Sequence, residues 1–174
     1  MSNSGENTSK TYKDYAKKFR EHTENERERR DKDLNSLFPI LKSTPEEMYE
    51  MQALALSYRH LLADEIAFYM NQYFNENKKL RVYKRDRYVY YSTGTLPDGR
   101  KPTPQEMTKY APIVGLVKSK SEKDMIIEGD LSDHEYLLEL LDNHVVFLKE
   151  CVRTIDHTLY GIKNRLEVMK LLTN

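Results

Sequence analysis

The chain has 174 residues, which is enough for one domain or for one domain with an extension. Charged residues make up 32% of the sequence and hydrophobic residues 39%, a balance that favours long solvent-exposed helices over a thick core. A single cysteine excludes an internal disulfide, and no apolar stretch approaches the roughly 20 residues that span a bilayer. The amino-terminal sequence has no signal-peptide pattern, so we expect a cytoplasmic protein without a membrane anchor.

The formal net charge is zero, but the charges are separated along the chain. Between Lys78 and Arg87 six residues are basic and one is acidic, whereas between Lys120 and Glu150 nine are acidic and three are basic. The basic segment is suited to an anion. The acidic stretch is suited to a basic partner or to a neighbouring copy of the chain.

The sequence predicts a division between residues 1–43 and residues 44–174. Residues 1–9 have the composition of a disordered end, and residues 10–33 alternate densely between basic and acidic side chains. This charged arm is either a solvent-exposed helix with ion pairs at three- and four-residue spacing or a segment that orders on a partner. The remainder is predicted to be a helical domain for binding and assembly.

A long helix is predicted to begin at Thr44. Thr44, Pro45 and Glu47 match a helix start, with a capping residue, a proline in the first turn and a glutamate that closes a capping box. Apolar residues then recur at steps of three and four along one face: Met51, Ala55, Tyr58, Leu62, Ile66, Tyr69 and Tyr73. The end of this helix stays open, because residues 81–91 have a composition that also suits a strand.

The connection that follows contains turn signals and short β-leaning runs. Residues 97–99, Pro-Asp-Gly, predict a turn. Residues 113–117 and 125–128 are rich in apolar side chains that favour strands, so we expect a small β element here. Ser132 and Glu135 match a second capping box, which predicts that the last helix begins there.

The last helix carries the most regular pattern in the sequence. Apolar residues at alternating steps of three and four run to the carboxyl end: Leu138, Leu141, Val145, Leu148, Val152, Ile155, Leu159, Ile162, Leu166 and Met169. Such a narrow seam is typical of coiled coils, and we expect the part from Leu141 to Met169 to join copies of the chain. The alternative is a two-helix hairpin within one chain. Cys151 lies in the same run and is expected to be a small buried side chain.

Enzymatic signatures are missing, and we expect no catalytic residue, no cofactor and no metal. None of the six glycines belongs to a phosphate-binding loop, and there is no His-Glu-x-x-His pair. His60 and Asp64 are one helical turn apart, but two ligands do not make a metal site. The acidic residues between 130 and 142 lie within one predicted helix and favour a helix start over an acid–base pair.

Residues 78–94 carry the pattern with the clearest functional meaning. Basic side chains alternate there with tyrosines, a mixture suited to single-stranded nucleic acid, because cations bind phosphates and aromatic faces stack on unpaired bases. The candidate binding residues are Lys78, Lys79, Arg81, Lys84, Arg85, Arg87, Tyr90 and Tyr91. The alternative is a solvent-exposed basic helix end whose tyrosines pack against a neighbouring helix.

This segment resembles the recombination mediator family of T-even-like bacteriophages, the UvsY type. Residues 85–92, RDRYVYYS, are similar to the family's Lys/Arg-x-Arg-x-x-Tyr-Tyr-Ser-Gly motif up to the serine. Residues 122–130 resemble a second family motif, and residues 155–163 resemble part of its final helix. The resemblance is one of pattern and order, and it extends over most of the predicted helical domain.

The resemblance implies a small helical protein that forms a ring of six or seven copies through its carboxyl-terminal helix. It also implies binding of single-stranded DNA, with Arg85 and Arg87 as the phosphate-contacting pair and Tyr90 and Tyr91 beside them. Members of this family help a recombinase load onto DNA covered by single-strand-binding protein. The expected place of action is the cytoplasm of the host bacterium.

The combined prediction is a mainly α protein with two long antiparallel helices, a small β element in their connection and a coiled-coil-like last helix. It assembles into a homo-oligomeric ring or bundle and acts as a recombination mediator that binds single-stranded DNA. One alternative is a helical structural or scaffold component of a phage particle. Another is a small regulator of duplex DNA, for which no helix-turn-helix is recognisable.

Overall fold

A computed structural model describes residues 6–36, 44–107 and 119–173 of the chain. These residues form four helices and no strand: α1 (Glu6–Ser36), α2 (Pro45–Thr93), α3 (Pro104–Met107) and α4 (Lys120–Thr173). The prediction of a mainly α fold is confirmed. None of the described helices is both long enough and apolar enough to cross a membrane.

The charged arm contains a helix, α1, and one side of this helix is buried. Ala16, Phe19, Thr23 and Arg30 are buried, at intervals of three, four and seven residues. Most of the other described side chains of α1 are exposed, which is the pattern of a helix with one face against its neighbours. The segment is therefore helical, and it is more than a solvent-exposed rod held by its own ion pairs.

α2 begins where the capping box predicts. The Thr44 backbone N–H donates to the Glu47 carboxylate at 2.6 Å, and the Glu47 N–H donates to Thr44 Oγ1 at 3.3 Å. The helix continues through residues 81–91, so the helix alternative is correct for this segment. It ends at Thr93, and the following Gly94 has a φ of 70°, in the left-handed region, and donates its N–H to the Tyr90 carbonyl at 2.7 Å.

The predicted turn follows α2. The Leu96 N–H donates to the Arg100 carbonyl at 2.9 Å, and the Gly99 N–H donates to the Leu96 carbonyl at 2.8 Å. Gly99 has a φ of 82°, a conformation that other residues rarely adopt. The Arg100 guanidinium pairs with Asp98 and Glu106, which ties this turn to α3.

The start of α4 corrects one prediction. The capping box is formed by Ser119 and Glu122, each donating its N–H to the other's side chain at 3.2 Å, and the helix begins at Lys120. Ser132, the predicted start, lies inside α4, where its hydroxyl donates to the Gly129 carbonyl at 3.0 Å. A serine can satisfy its hydroxyl on a preceding carbonyl within a helix, so the motif does not require a helix start.

The second β-leaning run also proves to be helical. Residues 125–128 lie within α4, and the predicted β element is wrong for this run. Ile127 and Leu131, four residues apart, are both buried on the same side of the helix, so the apolar residues follow a helical period here. The first run, residues 113–117, lies outside the described residues.

The structure forms two compact units, and α1, α2 and α4 each contribute to both. The first unit draws its described residues from 1–20 and 72–141, and the second from 21–71 and 142–174. The core cluster of the first unit consists of Leu80, Tyr90, Tyr91, Ile127, Leu131 and Leu138. The two core clusters of the second unit consist of Ala55, Leu62, Leu148, Cys151 and Ile155, and of Met48, Ile162 and Leu166.

The apolar seam of α4 contributes to the core of the chain itself. Seven of its members are buried: Leu138, Leu141, Val145, Leu148, Ile155, Ile162 and Leu166. Three are half-buried: Val152, Leu159 and Met169. Cys151 is buried as expected, and burial raises the pKa of its thiol. Much of the seam is therefore covered by side chains of the same chain.

Candidate nucleic-acid interface

The helical period of α2 divides the basic segment between two faces. Leu80, Tyr90 and Tyr91 face the core of the first unit. Residues at steps of three and four from Lys78 lie on another face, which is exposed. The eight candidate binding residues therefore do not form one surface.

Tyr90 and Tyr91 belong to the core, with exposed fractions of 1% and 3%. Their rings meet edge to face with centroids 5.5 Å apart, and the Tyr91 hydroxyl donates to the Asp130 carboxylate at 2.9 Å. Burial raises the pKa of the Tyr90 hydroxyl. Neither ring has an open face on which a base could stack, so their packing matches the alternative interpretation of these tyrosines.

Several of the candidate cations are paired with carboxylates within the chain. Arg87 Nε donates to Asp130 at 2.8 Å, and both side chains are mostly buried. Lys84 pairs with Glu135 on α4. Lys79 pairs with Glu76, one turn earlier on α2, at 2.6 Å, and this pairing raises the pKa of Lys79. The acidic stretch of α4 thus neutralises part of the basic segment.

A buried polar cluster joins α1 to this part of α2. His134 Nε2 lies 3.1 Å from the Glu76 carbonyl oxygen and 3.2 Å from its carboxylate. The Tyr12 ring stacks on His134 at 4.3 Å, and its hydroxyl donates to Glu76 at 3.4 Å. Burial lowers the pKa of His134 and raises that of Tyr12. The contacts with His134 and Tyr12 hold Glu76 in the position where it pairs with Lys79.

The remaining candidates, Lys78, Arg81 and Arg85, form together with Tyr88 what we call the exposed basic face. Their spacing of three, four and three residues places them in one line along α2. Lys78 and Arg81 form no ion pair with any residue that the structure describes, and Arg85 bonds only to its half-buried neighbour Asp86 among those residues. This line combines available cations with an aromatic ring that is 43% exposed.

A shallow groove runs beside the exposed basic face. It has a volume of about 410 Å³ and lies between Arg85 and Tyr88 of α2 and Asp124 and Ile127 of α4. The ammonium group of Lys123 lies 5.8 Å from the centroid of the Tyr88 ring and donates to the Ser92 hydroxyl at 3.1 Å. A flat, partly apolar depression next to cations suits an unpaired base whose phosphates lie outside it.

Sequence reasoning missed three residues at this surface. Tyr88 belongs to the tyrosine-rich segment but was not among the candidates, and Lys123 lies on a different helix. Phe74 is exposed one turn before Lys78, on the same side of α2. The helical period would have selected Tyr88 and Phe74, because both continue the three- and four-residue steps of the basic residues.

Within the described ranges, no three His, Cys, Asp or Glu side chains come together as a metal site requires. Comparison of the chain with protein-family models, curated proteins and solved structures finds no match. The resemblance to the recombination mediators thus rests on the motif residues alone. Two of these motifs meet in space, because Arg87 of the first pairs with Asp130 of the second.

Proposed function

We propose that the exposed basic face binds single-stranded DNA. The observation that carries this proposal is the line of three cations and one half-exposed tyrosine along a single side of α2. Lys78, Arg81 and Arg85 contact phosphates, and Tyr88 stacks on a base. Binding of this kind tolerates any base sequence and weakens with salt. Arg87, Tyr90 and Tyr91 support the helix that presents this face and do not contact the DNA.

The biological role that we propose is that of a recombination mediator, a binding protein and not an enzyme. Its support is the resemblance of residues 85–92 and 122–130 to that phage family. In this role the protein holds single-stranded DNA, disfavours the single-strand-binding protein and helps a recombinase load, in the cytoplasm of the host bacterium. A homo-oligomer, such as a ring of six or seven copies, would add weak contacts through effective concentration.

An antiparallel pairing of α2 with α4 is part of the same proposal. In the second unit, Met48 packs with Ile162 and Arg59 pairs with Asp156 at 2.7 Å. The residue numbers therefore rise on α2 as they fall on α4. The same relation holds within the first unit, where Glu76 meets His134 and Arg87 meets Asp130.

Paired substitution of Arg81→Ala and Arg85→Ala tests the binding surface. We expect weaker binding of a labelled oligo-dT in fluorescence anisotropy, by roughly tenfold or more at low salt. The magnitude of the slope of log affinity against log salt should fall by about 1.4, because each of the two lost phosphate contacts on a single strand contributes about 0.7. Helix content, measured by circular dichroism, should not change, since both side chains are exposed.

The matched control removes the same charge from a different part of the chain. Arg29→Ala with Arg153→Ala replaces two exposed arginines, whose side chains are 73% and 68% exposed. This control should keep the affinity and salt slope of the wild type. Equal weakening by both double variants would indicate a general effect of net charge and would argue against a site on the exposed basic face.

The second candidate function is a structural component of a phage particle. The pairing of Arg87 with Asp130 and of Lys84 with Glu135 favours it, because these pairs use cations of the basic segment to hold the fold. Absence of salt-sensitive binding to single-stranded DNA, together with stable self-assembly, would support this candidate over the mediator.

A further inference from the structure

The second unit has a row of exposed apolar side chains on α2. Leu54, Leu61 and Phe68 are 50%, 56% and 56% exposed, and they are spaced seven residues apart. Seven residues are close to two helical turns, so the three side chains form a narrow line along the helix, which we call the outer row. Large exposed apolar side chains that recur along one side of a helix favour an interaction surface.

The stretch of α2 that carries the outer row has few charges of its own. From Met48 to Asn71 the sequence contains four charged residues: Glu50, Arg59, Asp64 and Glu65. Arg59 pairs with Asp156, and Glu65 pairs with Arg30. Ala55 and Leu62 meanwhile occupy the core on a different side of the same helix. A helix that is apolar on both sides is typically covered on both sides.

A groove runs beside the outer row and can receive side chains. It has a volume of about 590 Å³ and lies between α1 and α2, with Leu61 and Phe68 on its α2 wall. Arg29 and Asp33 of α1 line its other side. The outer row supplies side chains that project from the surface, and the groove is a depression that side chains of a partner can enter.

We propose that the outer row binds a second copy of the chain, in an antiparallel pair of α2 helices centred on Leu61. Leu54 and Phe68 lie at equal distances in sequence from Leu61. A two-fold axis at Leu61 therefore places Leu54 against Phe68 of the partner subunit, and Leu61 against Leu61 of the partner subunit. Self-complementarity of this kind is the requirement for a two-fold interface.

The acidic residues beside the outer row favour the antiparallel direction. In a parallel, in-register pair, Asp64 would face its own copy across the interface, and so would Glu65. Like charges in such positions are destabilising. In the antiparallel pair, Asp64 faces Tyr58 of the partner subunit and Glu65 faces Ser57 of the partner subunit, so no carboxylate meets another.

This inference does not depend on the proposed DNA binding. The outer row belongs to the second unit and the exposed basic face to the first. The seam of α4 is the expected assembly surface, but most of its apolar residues are buried within the chain. The outer row therefore offers a separate surface for assembly, and its loss leaves the exposed basic face intact.

The first test measures the mass of the assembly in solution. Wild-type chain at micromolar concentration should sediment as a dimer or a larger assembly, and Leu61→Glu should reduce that mass by at least half. Leu56→Glu is the matched control, since Leu56 is also exposed on α2 but lies on a different side of the helix. A monomeric wild type would overturn the proposal and leave the row to another protein. An unchanged mass for Leu61→Glu would overturn it as well.

Cysteine cross-linking tests the direction of the pair without disturbing the fold. Leu61→Cys should form a covalent dimer on mild oxidation, and a mixture of Leu54→Cys and Phe68→Cys chains should do the same. Leu54→Cys alone should not. The wild type, whose Cys151 is buried, provides the baseline. Cross-linking of Leu54→Cys with itself, or no cross-linking of Leu61→Cys, would contradict the antiparallel pair.

Discussion

Arg30 shows how a single residue of the charged arm becomes part of the fold. Its guanidinium group is buried, pairs with Glu26 and Glu65, and donates to the Tyr58 hydroxyl at 3.1 Å. The same group lies 5.9 Å from the centroid of the Tyr58 ring. A buried cation is tolerated only with such partners, so these contacts hold α1 and α2 in register within the second unit.

Replacement of Arg30 should therefore destabilise the fold much more than replacement of its neighbour. For Arg30→Met we expect a loss of about 3 kcal/mol in the free energy of unfolding, because a buried network loses its cation. Arg29→Met should change it by less than about 0.5 kcal/mol, as exposed substitutions usually do. Urea unfolding followed by circular dichroism measures both. Similar values for the two variants would show that α1 is not packed as described.

His144 is a second buried titratable residue of the second unit. Its ring meets Tyr69 edge to face at 4.6 Å and lies 6.2 Å from the ring of Phe147. Burial lowers the pKa of His144, and together with the nearby charges of Arg27 and Arg30 it brings the pKa from 6.5 to about 4. His22 acts in the same sense and Glu26 in the opposite one. The imidazole is therefore neutral in the folded chain at pH 7.

This lowered pKa predicts a loss of stability in acid. As the pH falls below 6.5, the unfolded chain binds a proton at His144 before the folded chain does, so the folded state loses stability until about pH 4. The loss amounts to roughly 3 kcal/mol. In His144→Leu this contribution is absent, and the gap in stability between wild type and variant should narrow or reverse as the pH falls. Parallel stability curves from pH 7 to pH 4 would contradict the lowered pKa.

At the scale of the helix, the capping pattern was informative but not sufficient. It correctly located the start of α2 at Thr44. The same Ser/Thr-x-x-Glu pattern occurs at Ser119 and again at Ser132, and only the former caps α4. A four-residue motif cannot distinguish them, because the choice depends on Ile127 and Leu131 packing into the core of the first unit.

Substitution of the two serines separates a helix start from a helix interior. Ser119→Ala removes a capping hydroxyl and should lower the free energy of unfolding by about 1 kcal/mol. Ser132→Ala should leave it unchanged or raise it slightly, because an alanine suits the interior of a helix. Urea unfolding of the two variants provides the comparison. A larger loss for Ser132→Ala would restore the predicted start of the last helix.

The composition of the basic segment could be read from the sequence, but the faces of that segment could not. In a strand, Tyr88 and Tyr90 would point to the same side, because side chains alternate with a period of two. In a helix they separate, and Tyr90 enters the core while Tyr88 stays at the surface. Residues 81–91 allowed both structures, so the sequence alone could not select the tyrosine that is open to a base.

For the whole molecule, the separation of charge along the chain has a structural meaning. The basic segment of α2 and the acidic stretch of α4 meet in the first unit through Arg87 with Asp130 and Lys84 with Glu135. Part of the opposite charge that cancels in the net total is therefore paired inside the fold. The cations that matter for binding are the ones this pairing leaves at the surface, a selection that depends on tertiary contacts and not on composition.

Binding of the wild-type chain to labelled oligo-dT, measured by fluorescence anisotropy across a range of salt concentrations and with duplex competitor, tests the exposed basic face directly. We predict salt-sensitive binding that prefers single strands, with a slope of log affinity against log salt of about −2 for each bound copy, since three cations each neutralise one phosphate. Absence of binding at low salt, or a preference for duplex DNA, would contradict a single-stranded DNA site on the exposed basic face.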